Sequence, residues 1–465
     1  MSFDILLQYG LVIGAVVLPL LVIPDLLRTR RAPTASLAWL LGVVLLPYLV
    51  VPLYLVFSGR KLPGVRRKRI KARLRLADAG KLAEGDACDL DRLLRRLQIP
   101  GASGGNRVSL ERDGMEAYRA VCRIIDGAQR SLHAAIYILA DDEAGRDIVA
   151  RMAERARLGV DVRLLIDGVG SIDLPEKMLD ALREAGGKVA TFNPLLLGVF
   201  RGLANLRNHR KIIVADGAVA WSGGRNFSVD YLRPQCPPDC WTDLSFTIVG
   251  PVALRLQEVF WSDWSFAAGQ PPDSAALPAL PPAAAAGEAQ VQIVPSGPDV
   301  PDDPLFSALL AASFAARQRI WLVSPYFVPD DSLMHAWLLA ARLGVDVRVI
   351  VPLKSDSRLV DIARMTYLRD LQAAGAKILL HKGPTLHLKA FVIDDEIAGI
   401  GTANLDARSL FLNFEVTAML YSRADVKNVM DVLQLVMDAS IQGIRPAGRY
   451  RGLLSGAARL FAPLL

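Results

Sequence analysis

The sequence predicts an α/β fold made of two copies of one unit, preceded by a hydrophobic helical hairpin. From about residue 107 onward, helical and strand patterns alternate, which is typical of a layered α/β sheet protein. Segments of the first half return in the second: residues 156–163 and residues 341–348 both read ARLGVDVR. Duplicated units normally pair about a pseudo-twofold axis, so we expect a site at their junction to be built from equivalent residues.

Composition fits a soluble body joined to a localised apolar segment. Hydrophobic residues make up 52% of the 465 residues and the mean hydropathy is +0.30, yet 22% of residues are charged. A chain of this length is too long for one ordinary core, so two domains with appendages are expected. The net charge of +7 favours a polyanionic partner, either nucleic acid or an anionic membrane surface.

The first 60 residues contain two hydrophobic segments, at about 5–27 and 32–58. Residues 5–23 and 32–58 carry no charge, and each run is about the length that crosses hydrocarbon. We predict a membrane hairpin over residues 1–60. A cleaved signal peptide is disfavoured because no basic region precedes the first run and a second run follows at once. Four prolines leave a re-entrant hairpin open, namely Pro19, Pro24, Pro47 and Pro52.

Basic residues beside these segments predict the orientation of the chain. The loop between them contains three arginines, whereas residues 60–75 contain nine lysines and arginines. Lys and Arg resist translocation, so we expect everything after residue 60 to lie in the cytoplasm. Residues 61–106 are predicted to be a basic juxtamembrane and connecting segment. The basic run at 60–75 is expected to lie against anionic headgroups. A solvated basic helix is compatible with the same orientation.

The remaining chain divides into two predicted domains. Residues 107–266 form the first, in which residues 115–128 and 144–157 have helical spacing and residues 132–139 and 160–166 read as strands. An Ala/Pro-rich linker at 267–288 follows. The same order then starts again in the second domain, residues 289–465.

The strongest signal is a constellation of residues that occurs once in each half. Counting from a histidine, a lysine follows at two residues, an aspartate at seven, a glycine at fourteen and an asparagine at seventeen. Chance agreement at five fixed positions is negligible given ordinary residue frequencies. The first set is His209, Lys211, Asp216, Gly223 and Asn226, and the second is His387, Lys389, Asp394, Gly401 and Asn404.

This spacing suits phosphoryl chemistry. Residues two apart on a strand face the same side, so each strand delivers an imidazole and an ammonium to one point. Two facing units, with Asn226 and Asn404, supply a clamp for one phosphate. One histidine must be neutral to attack phosphorus, while the other must be protonated to release the leaving alcohol. Their environments should therefore push the two pKa values apart. No metal or other cofactor is expected, since this donor set suits an anion.

Four acids have open assignments. Asp243 and Glu415 lie 34 and 28 residues after the histidine of their own half and could orient an imidazole. Ordinary ion pairing is the alternative, and the sequence does not say which acid serves which histidine. For Asp216 and Asp394, stabilising the turn after the strand competes with contact to substrate.

The four cysteines are too few for a disulfide framework, which favours a reducing compartment. Cys236 and Cys240 are close enough to bridge or share a metal. Without a neighbouring histidine or second thiol pair, however, they are a weak metal signal.

The duplicated His-x-Lys-x4-Asp motif with a downstream Gly-x-x-Asn resembles the phospholipase D superfamily over nearly all of residues 107–465. Within it the chain is most similar to bacterial cardiolipin synthases, through NLRNHRK at 205–211, SPYFVPD at 324–330 and NLDARS at 404–409. The resemblance implies a duplicated α/β/α sandwich. The sequence departs from the family at Trp241-Thr-Asp243, where Trp-Arg-Asp is common, at Ala135, where Glu is common, and in an insertion at 236–240.

The resemblance also implies a metal-independent ping-pong reaction. One phosphatidylglycerol would give its phosphatidyl group to His209 and release glycerol, and a second would accept it, with His387 as acid and base. The implied location is the bacterial inner membrane, with the hairpin as a multi-pass anchor and the catalytic body facing the cytoplasm. Phospholipid is then the expected partner and nucleic acid is not.

Four other functions are compatible with parts of the sequence. A nuclease of the same superfamily would not need the hairpin, and the sequence lacks aromatic residues interleaved with basic ones. A lipid hydrolase, or a phosphatidyltransferase with another acceptor such as phosphatidylethanolamine, differs only in what reaches the phosphohistidine. Residues 195–207 could line a lipid entrance, or form a buried helix. A non-catalytic scaffold is disfavoured by two intact motifs.

Overall fold

The computed structural model describes residues 3–28, 33–57, 88–194, 205–235, 240–269 and 284–444. These residues divide into two compact units. The helices before residue 58 belong to the smaller unit, and both copies of the repeated motif belong to the larger one.

Among the described residues, the smaller unit contains three helices, where the sequence predicted two. They are α1 (Phe3–Arg28), α2 (Pro33–Leu45) and α3 (Pro47–Phe57). The second hydrophobic segment is interrupted at Leu46 because the residue before a proline is biased away from helical conformation. Within the described parts of the chain, none of the helices combines the length and the hydropathy that a membrane crossing requires.

A small core joins these three helices. Val22, Leu26, Val43 and Val51 are buried together with Tyr54, whose hydroxyl donates a hydrogen bond to Asp25 Oδ2 at 2.8 Å. Many other apolar side chains of this unit are exposed, so its core holds the helices together without covering their outer faces.

The larger unit is built on one sheet of fifteen strands. The first-half strands are β1 (Ser103–Glu111), β2 (Ser131–Ile136), β3 (Asp161–Asp167), β4 (Lys188–Phe192), β5 (Ile212–Ala215), β6 (Val219–Gly223) and β7 (Ser245–Val249). From the centre of the sheet outward their order is β1, β7, β6, β5, β2, β3, β4.

The second half repeats this order with equivalent strands. Its strands are β8 (Ala289–Ser296), β9 (Arg319–Val323), β10 (Phe327–Val328), β11 (Asp346–Pro352), β12 (Lys377–His381), β13 (Ala390–Ile393), β14 (Ile397–Gly401), β15 (Leu405–Asp406), β16 (Glu415–Leu420) and β17 (Ser440–Gln442). From the centre outward the order is β8, β16, β14, β13, β9, β11, β12, with β17 added at the edge and β10 paired separately with β15. β1 and β8 pair antiparallel in the middle, which gives the sheet its pseudo-twofold symmetry.

Helices cover both faces of the sheet, as an α/β/α sandwich requires. Helix α4 (Asp89–Arg96) precedes both halves, and the first half has α5 (Gly114–Gly127), α6 (Glu143–Arg157), α7 (Asp180–Glu184) and α8 (Ala253–Ala268). The second has α9 (Pro304–Ala315), α10 (Asp331–Arg342), α11 (Arg358–Ala373), α12 (Ala407–Phe411) and α13 (Arg423–Asp438).

Strand β2 shows how the two layers arise. Leu132 and Ala134 point into an apolar core shared with Val121 of α5, whereas His133 between them stacks on Phe260 of α8. Alternating side chains therefore meet helices on opposite faces. The predicted duplicated α/β sandwich is confirmed.

Two details differ from the predicted segment limits. Helix α4, in the predicted connecting segment, places Leu90 and Leu94 in the core of the second half, and β1 begins at Ser103, ahead of residue 107. The basic run at 60–75, most of the linker at 267–288 and the end of the chain after residue 444 lie outside the described residues. The domain limits remain predictions.

Candidate active site

Each histidine follows a residue that forms a short β-bridge to the other half. Asn208, which precedes His209, forms a parallel bridge with Phe414, and Leu386, which precedes His387, forms one with Thr242. The backbone N–H of His209 donates to Phe414 O at 2.9 Å, and that of His387 donates to Thr242 O at 2.8 Å. Each histidine is thereby held beside the acid that follows its bridge partner in the other half.

Each imidazole is bound by the acid of the opposite half. His209 Nδ1 lies 3.0 Å from Glu415 Oε2, and His387 Nδ1 lies 2.7 Å from Asp243 Oδ2. The question that the sequence left open is thus answered by a crossed arrangement. When a carboxylate accepts a hydrogen bond from Nδ1–H, the lone pair of the ring is on Nε2. Nε2 is then the nitrogen that can react with a substrate.

The two acids are held by different neighbours. Thr402 Oγ1 donates to Glu415 Oε2 at 2.5 Å, whereas the equivalent position opposite Asp243 is Gly224. An added Cβ at Gly224 would lie only 2.2 Å from Asp243 Oδ1, which also accepts the Leu244 N–H at 2.7 Å. Asp243 therefore occupies space that a side chain at residue 224 would need.

Both lysines of the motif are buried beside their histidines. Lys211 Nζ donates to His209 O at 2.8 Å, and Lys389 Nζ lies 2.7 Å from His387 Nδ1. Burial lowers the pKa of Lys211 to about 7 and that of Lys389 to about 8. Binding of an anion would therefore raise the pKa of both amines and favour their protonated forms.

The pKa values of both imidazoles are also depressed. Burial, opposed by Glu415, lowers the pKa of His209, and burial together with Lys389 lowers that of His387 to about 3. The pKa of Glu415 lies below its usual range because His209 and Lys211 outweigh the effect of burial, and that of Asp243 does so because Lys389 and His387 outweigh it. Without substrate, the lowered pKa values favour neutral imidazoles, although the reaction scheme asks for one protonated imidazole.

Asp216 and Asp394 do not lie with the histidines. Each occupies the turn after its strand in a left-handed conformation, with φ of 54° and 50°. Asp216 accepts backbone N–H groups of residues 129–131 at 2.7–2.9 Å, at the start of β2 and opposite the end from which Tyr137 reaches His209. Asp394 accepts those of residues 317–319 in the same way. These contacts support the turn-stabilising alternative.

The two asparagines of the motifs, Asn226 and Asn404, are buried. Asn226 Oδ1 accepts the Ile138 N–H at 3.3 Å, while Asn404 Oδ1 has no hydrogen-bond partner among the described residues. Contact between these amides and a substrate phosphate stays a prediction.

Aromatic contacts to the histidines were not identified as part of the site from the sequence. The ring of Tyr137 lies 4.7 Å from that of His209, and the rings of Tyr231 and Trp241 lie 5.1 and 5.6 Å from that of His387. Tyr137 belongs to the same half as its histidine, whereas Tyr231 and Trp241 come from the opposite half. These three residues do not stand at a fixed sequence distance from the motif, because separate loops bring them to the histidines.

A buried ion pair fixes the strand segment that carries His209. Arg210 Nη1 donates to Asp263 Oδ1 of α8 at 2.6 Å and its Nε donates to Glu415 O at 2.9 Å. Asn208 Nδ2 donates to Asp263 Oδ2 at 2.9 Å. Residues 208 and 210 are thus held on the helix side, and His209 and Lys211 face the other way.

In the part of the chain that the structure describes, no group of three or more His, Cys, Asp or Glu side chains is arranged to hold a metal ion. Cys236 lies outside the described residues, as do residues 195–204 of the predicted lipid entrance. Metal independence and the function of the cysteine pair stay predictions.

Comparison with protein families and curated proteins gives a consistent match. The family described as "Cardiolipin synthase, PLD-like domain" matches residues 121–264 and 309–436. The chain is 33% identical to a cardiolipin synthase of Geobacillus kaustophilus, over all of this chain and 94% of that one. It is 33% identical to one of Alkalihalophilus pseudofirmus, over 94% and 90%, and 32% identical to cardiolipin synthase A of Pseudomonas fluorescens, over 94% of both.

Solved structures agree at the level of the fold. A phosphatidylserine synthase from Haemophilus influenzae aligns with a TM-score of 0.61 at 15% identity, over 81% of this chain and 97% of that one. A polyphosphate kinase from Porphyromonas gingivalis aligns with a TM-score of 0.50 at 12% identity, over 76% and 53%. With sequence matches that span nearly the whole chain, the protein belongs to the cardiolipin synthase family of phospholipase D-like proteins.

Proposed function

We propose that this enzyme is a cardiolipin synthase, which transfers a phosphatidyl group from one phosphatidylglycerol to a second and releases glycerol. The observation that carries the proposal is the pair of buried imidazoles, each bound through Nδ1 to a carboxylate of the opposite half. Two Nε2 atoms are thereby left for one phosphodiester. The relatives that span nearly the whole chain bear the same name.

In the first step the Nε2 lone pair of His209 attacks phosphorus. The bond from phosphorus to the glycerol oxygen breaks, and His387 supplies the proton that the departing oxygen needs. The assignment of the nucleophile follows the resemblance of the first motif to the family. Lys211 and Lys389 neutralise charge on the phosphate oxygens.

The low pKa of His387 requires that its proton be acquired when substrate binds. A phosphodiester brings one negative charge into a buried site, which raises the pKa of every nearby base. The low pKa favours a neutral His387 in the resting enzyme. The scheme requires a protonated His387 in the enzyme–substrate complex. After glycerol leaves, His387 is again neutral and can act as a base.

In the second step the acceptor hydroxyl attacks the phosphohistidine. The oxygen forms a bond to phosphorus, the bond from phosphorus to His209 breaks, and His387 takes the hydroxyl proton. If water attacked instead, the product would be phosphatidic acid, so transfer depends on excluding water from the intermediate.

Incubation of the purified protein in detergent with labelled phosphatidylglycerol tests the reaction. We expect labelled cardiolipin and free glycerol, with the yield unchanged by EDTA, and no product with His209→Gln. Added phosphatidylethanolamine or glycerol shows which acceptors are used. Phosphatidic acid as the sole lipid product would identify a hydrolase, and cleavage of nucleic acid without lipid turnover would identify a nuclease; either result contradicts the proposal. A strict divalent-ion requirement would contradict the phosphohistidine scheme.

We further propose that residues 1–60 anchor the enzyme in the inner membrane with the larger unit in the cytoplasm. Support comes from exposed apolar side chains along α1, α2 and α3 within the smaller unit, among them Val12, Val16, Leu20, Leu41 and Leu49. Deletion of residues 1–60 should leave a folded body that sediments less with vesicles rich in phosphatidylglycerol. Unchanged sedimentation would contradict the anchor.

A further inference from the structure

Arg207 lies on the same side of its strand segment as the proposed nucleophile. Asn208 and Arg210 are both bound to Asp263, so alternate residues face the opposite side. The bridge between Asn208 and Phe414 and the hydrogen bond from Phe414 N to Arg207 O keep this stretch extended. The side chains of residues 207, 209 and 211 therefore form one row.

The guanidinium of Arg207 is buried but only partly paired. Its side chain is 3% exposed, and Nη1 donates to Asp167 Oδ1 over a long 3.3 Å. Asp167 already accepts the backbone N–H groups of Val169, Gly170 and Asn208 at 2.8–3.0 Å. Nε and Nη2 of Arg207 have no hydrogen-bond partner among the described residues. Two donors of a buried cation are thus left over.

The two free nitrogens form one edge of the guanidinium. Nε–H and Nη2–H point in parallel, the fork that binds two oxygens of a phosphate or carboxylate. Leaving such donors buried and unpaired is costly, so an anionic ligand would complete the site. The charge of Arg207 acts near the reacting groups: with Arg408, whose effect is larger, it opposes the rise that burial and Asp167 impose on the pKa of Tyr137, the residue against His209.

This cation is present on one side of the site only. The residue two before His387, equivalent to Arg207, is Thr385. A group needed to hold the reacting phosphate would be expected in both halves, as the lysines and asparagines are. An arginine without a counterpart in the other half instead fits a second phosphate beside the reacting one.

We propose that the free edge of Arg207 binds the phosphodiester that the acceptor phosphatidylglycerol already carries, a proposal that rests on the function proposed above. Residues two apart on a strand are separated by roughly 7 Å. The acceptor phosphate is separated from the reacting phosphorus by one glycerol, the bridge of the product. Water and glycerol have no such phosphate, so Arg207 favours lipid acceptors.

The test compares two acceptors of the same phosphatidyl-enzyme. Cardiolipin formation and exchange of labelled glycerol into phosphatidylglycerol share the first step and differ in whether the acceptor carries a phosphate. Arg207→Gln and Arg207→Lys should lower the ratio of cardiolipin formation to glycerol exchange by about 10- to 100-fold, the range for a lost charge-assisted pair. Thr385→Val, the matched change in the other half, should leave the ratio unaltered.

Equal loss of both reactions in folded Arg207 variants would overturn the proposal, because Arg207 would then act on the reacting phosphate or on His209. An unchanged ratio would overturn it as well. If neither variant folds, the test is made on wild-type enzyme with glycerol 3-phosphate and glycerol as alternative acceptors. Glycerol 3-phosphate should have a KM at least about tenfold below that of glycerol, and equal KM values would overturn the proposal. Absence of cardiolipin from wild-type reactions would instead contradict the proposed function itself.

Discussion

Glu415 reaches His209 across the junction with a side chain one methylene longer than that of Asp243, which reaches His387. The positions opposite the two acids differ in a matching way. Thr402 adds a hydroxyl that holds Glu415, whereas Gly224 leaves room for the Asp243 carboxylate. A change of acid between the two half-sites is therefore accompanied by a change of its neighbour, and in both half-sites the acid still binds Nδ1 of a histidine.

The aromatic surroundings of the two histidines differ as well. Among the described residues, the ring of Tyr137 alone packs against His209. His387 packs against the rings of Tyr231 and Trp241, which also contact each other, and has Lys389 Nζ beside it. Duplication preserved the motif residues but not the residues that pack on them. Two histidines with the same sequence signature can therefore perform different steps, since reactivity depends on the groups in contact.

The largest expected effect separates the two histidines. His209→Ala should lower turnover by about 10⁵-fold or more and abolish acid-labile labelling of the protein. His387→Ala should also stop turnover, but with a labelled lipid whose leaving group needs no proton it should leave phosphatidyl trapped on His209. Denaturing electrophoresis after exposure to that lipid measures both. Label on His387 in the His209 variant, with none on His209 in the reciprocal variant, would reverse the assignment.

Replacement of each acid by its isosteric amide should impair the histidine of the opposite half. Asp243→Asn replaces the carboxylate that accepts from His387 Nδ1–H by a neutral amide that can also donate, and Glu415→Gln does the same at His209; each should lower turnover on the order of 10³-fold. With the activated lipid, Asp243→Asn should still form the intermediate at nearly the wild-type rate, whereas Glu415→Gln should not. The opposite pattern in burst experiments would contradict the crossed pairing.

The lysines give a pH dependence with a definite sign. Their pKa values are lowered to about 7 and about 8, so both amines are mostly neutral above pH 8, and binding of an anion then takes up one proton on each lysine besides the proton acquired by His387. Affinity for glycerophosphoglycerol should fall as pH rises, and the lysines should contribute about 100-fold per pH unit to this fall above pH 8. Lys211→Met and Lys389→Met should each reduce that contribution to about tenfold. Calorimetry in two buffers measures the proton uptake, and a flat profile would contradict the lowered values.

The smallest effects concern the groups that hold the acids. Gly224→Ala should displace Asp243 and lower turnover about tenfold, while Thr402→Val, which loses a single hydrogen bond, should lower it about fivefold. Gly127→Ala is the control for the first, because an added Cβ there meets nothing within 4 Å. Thr402→Ser is the control for the second. Steady-state rates that match wild type would show that the acids are positioned by other contacts.

Much of the fold follows from patterns that the chain carries locally. Alternation of helix and strand and the repeated segments predicted a duplicated α/β body, which the sheet order confirms. The break of the second hydrophobic segment was missed, although Pro47 gave a local signal for it. Helix α4 was missed for another reason: its apolar residues are few, and its partners belong to the second half, about 200 residues further along.

The sequence alone determined which residues form the two motifs, because fixed offsets along a strand decide which side chains face the same way. It did not determine the partners of those residues. His209 and Glu415 are 206 residues apart, and His387 and Asp243 are 144 apart, so their pairing depends on how the halves meet at two short bridges. The tertiary structure also decided that Asp216 caps the start of a strand and that Arg207 keeps a free edge. Contacts of this kind join distant segments, and no local periodicity encodes them.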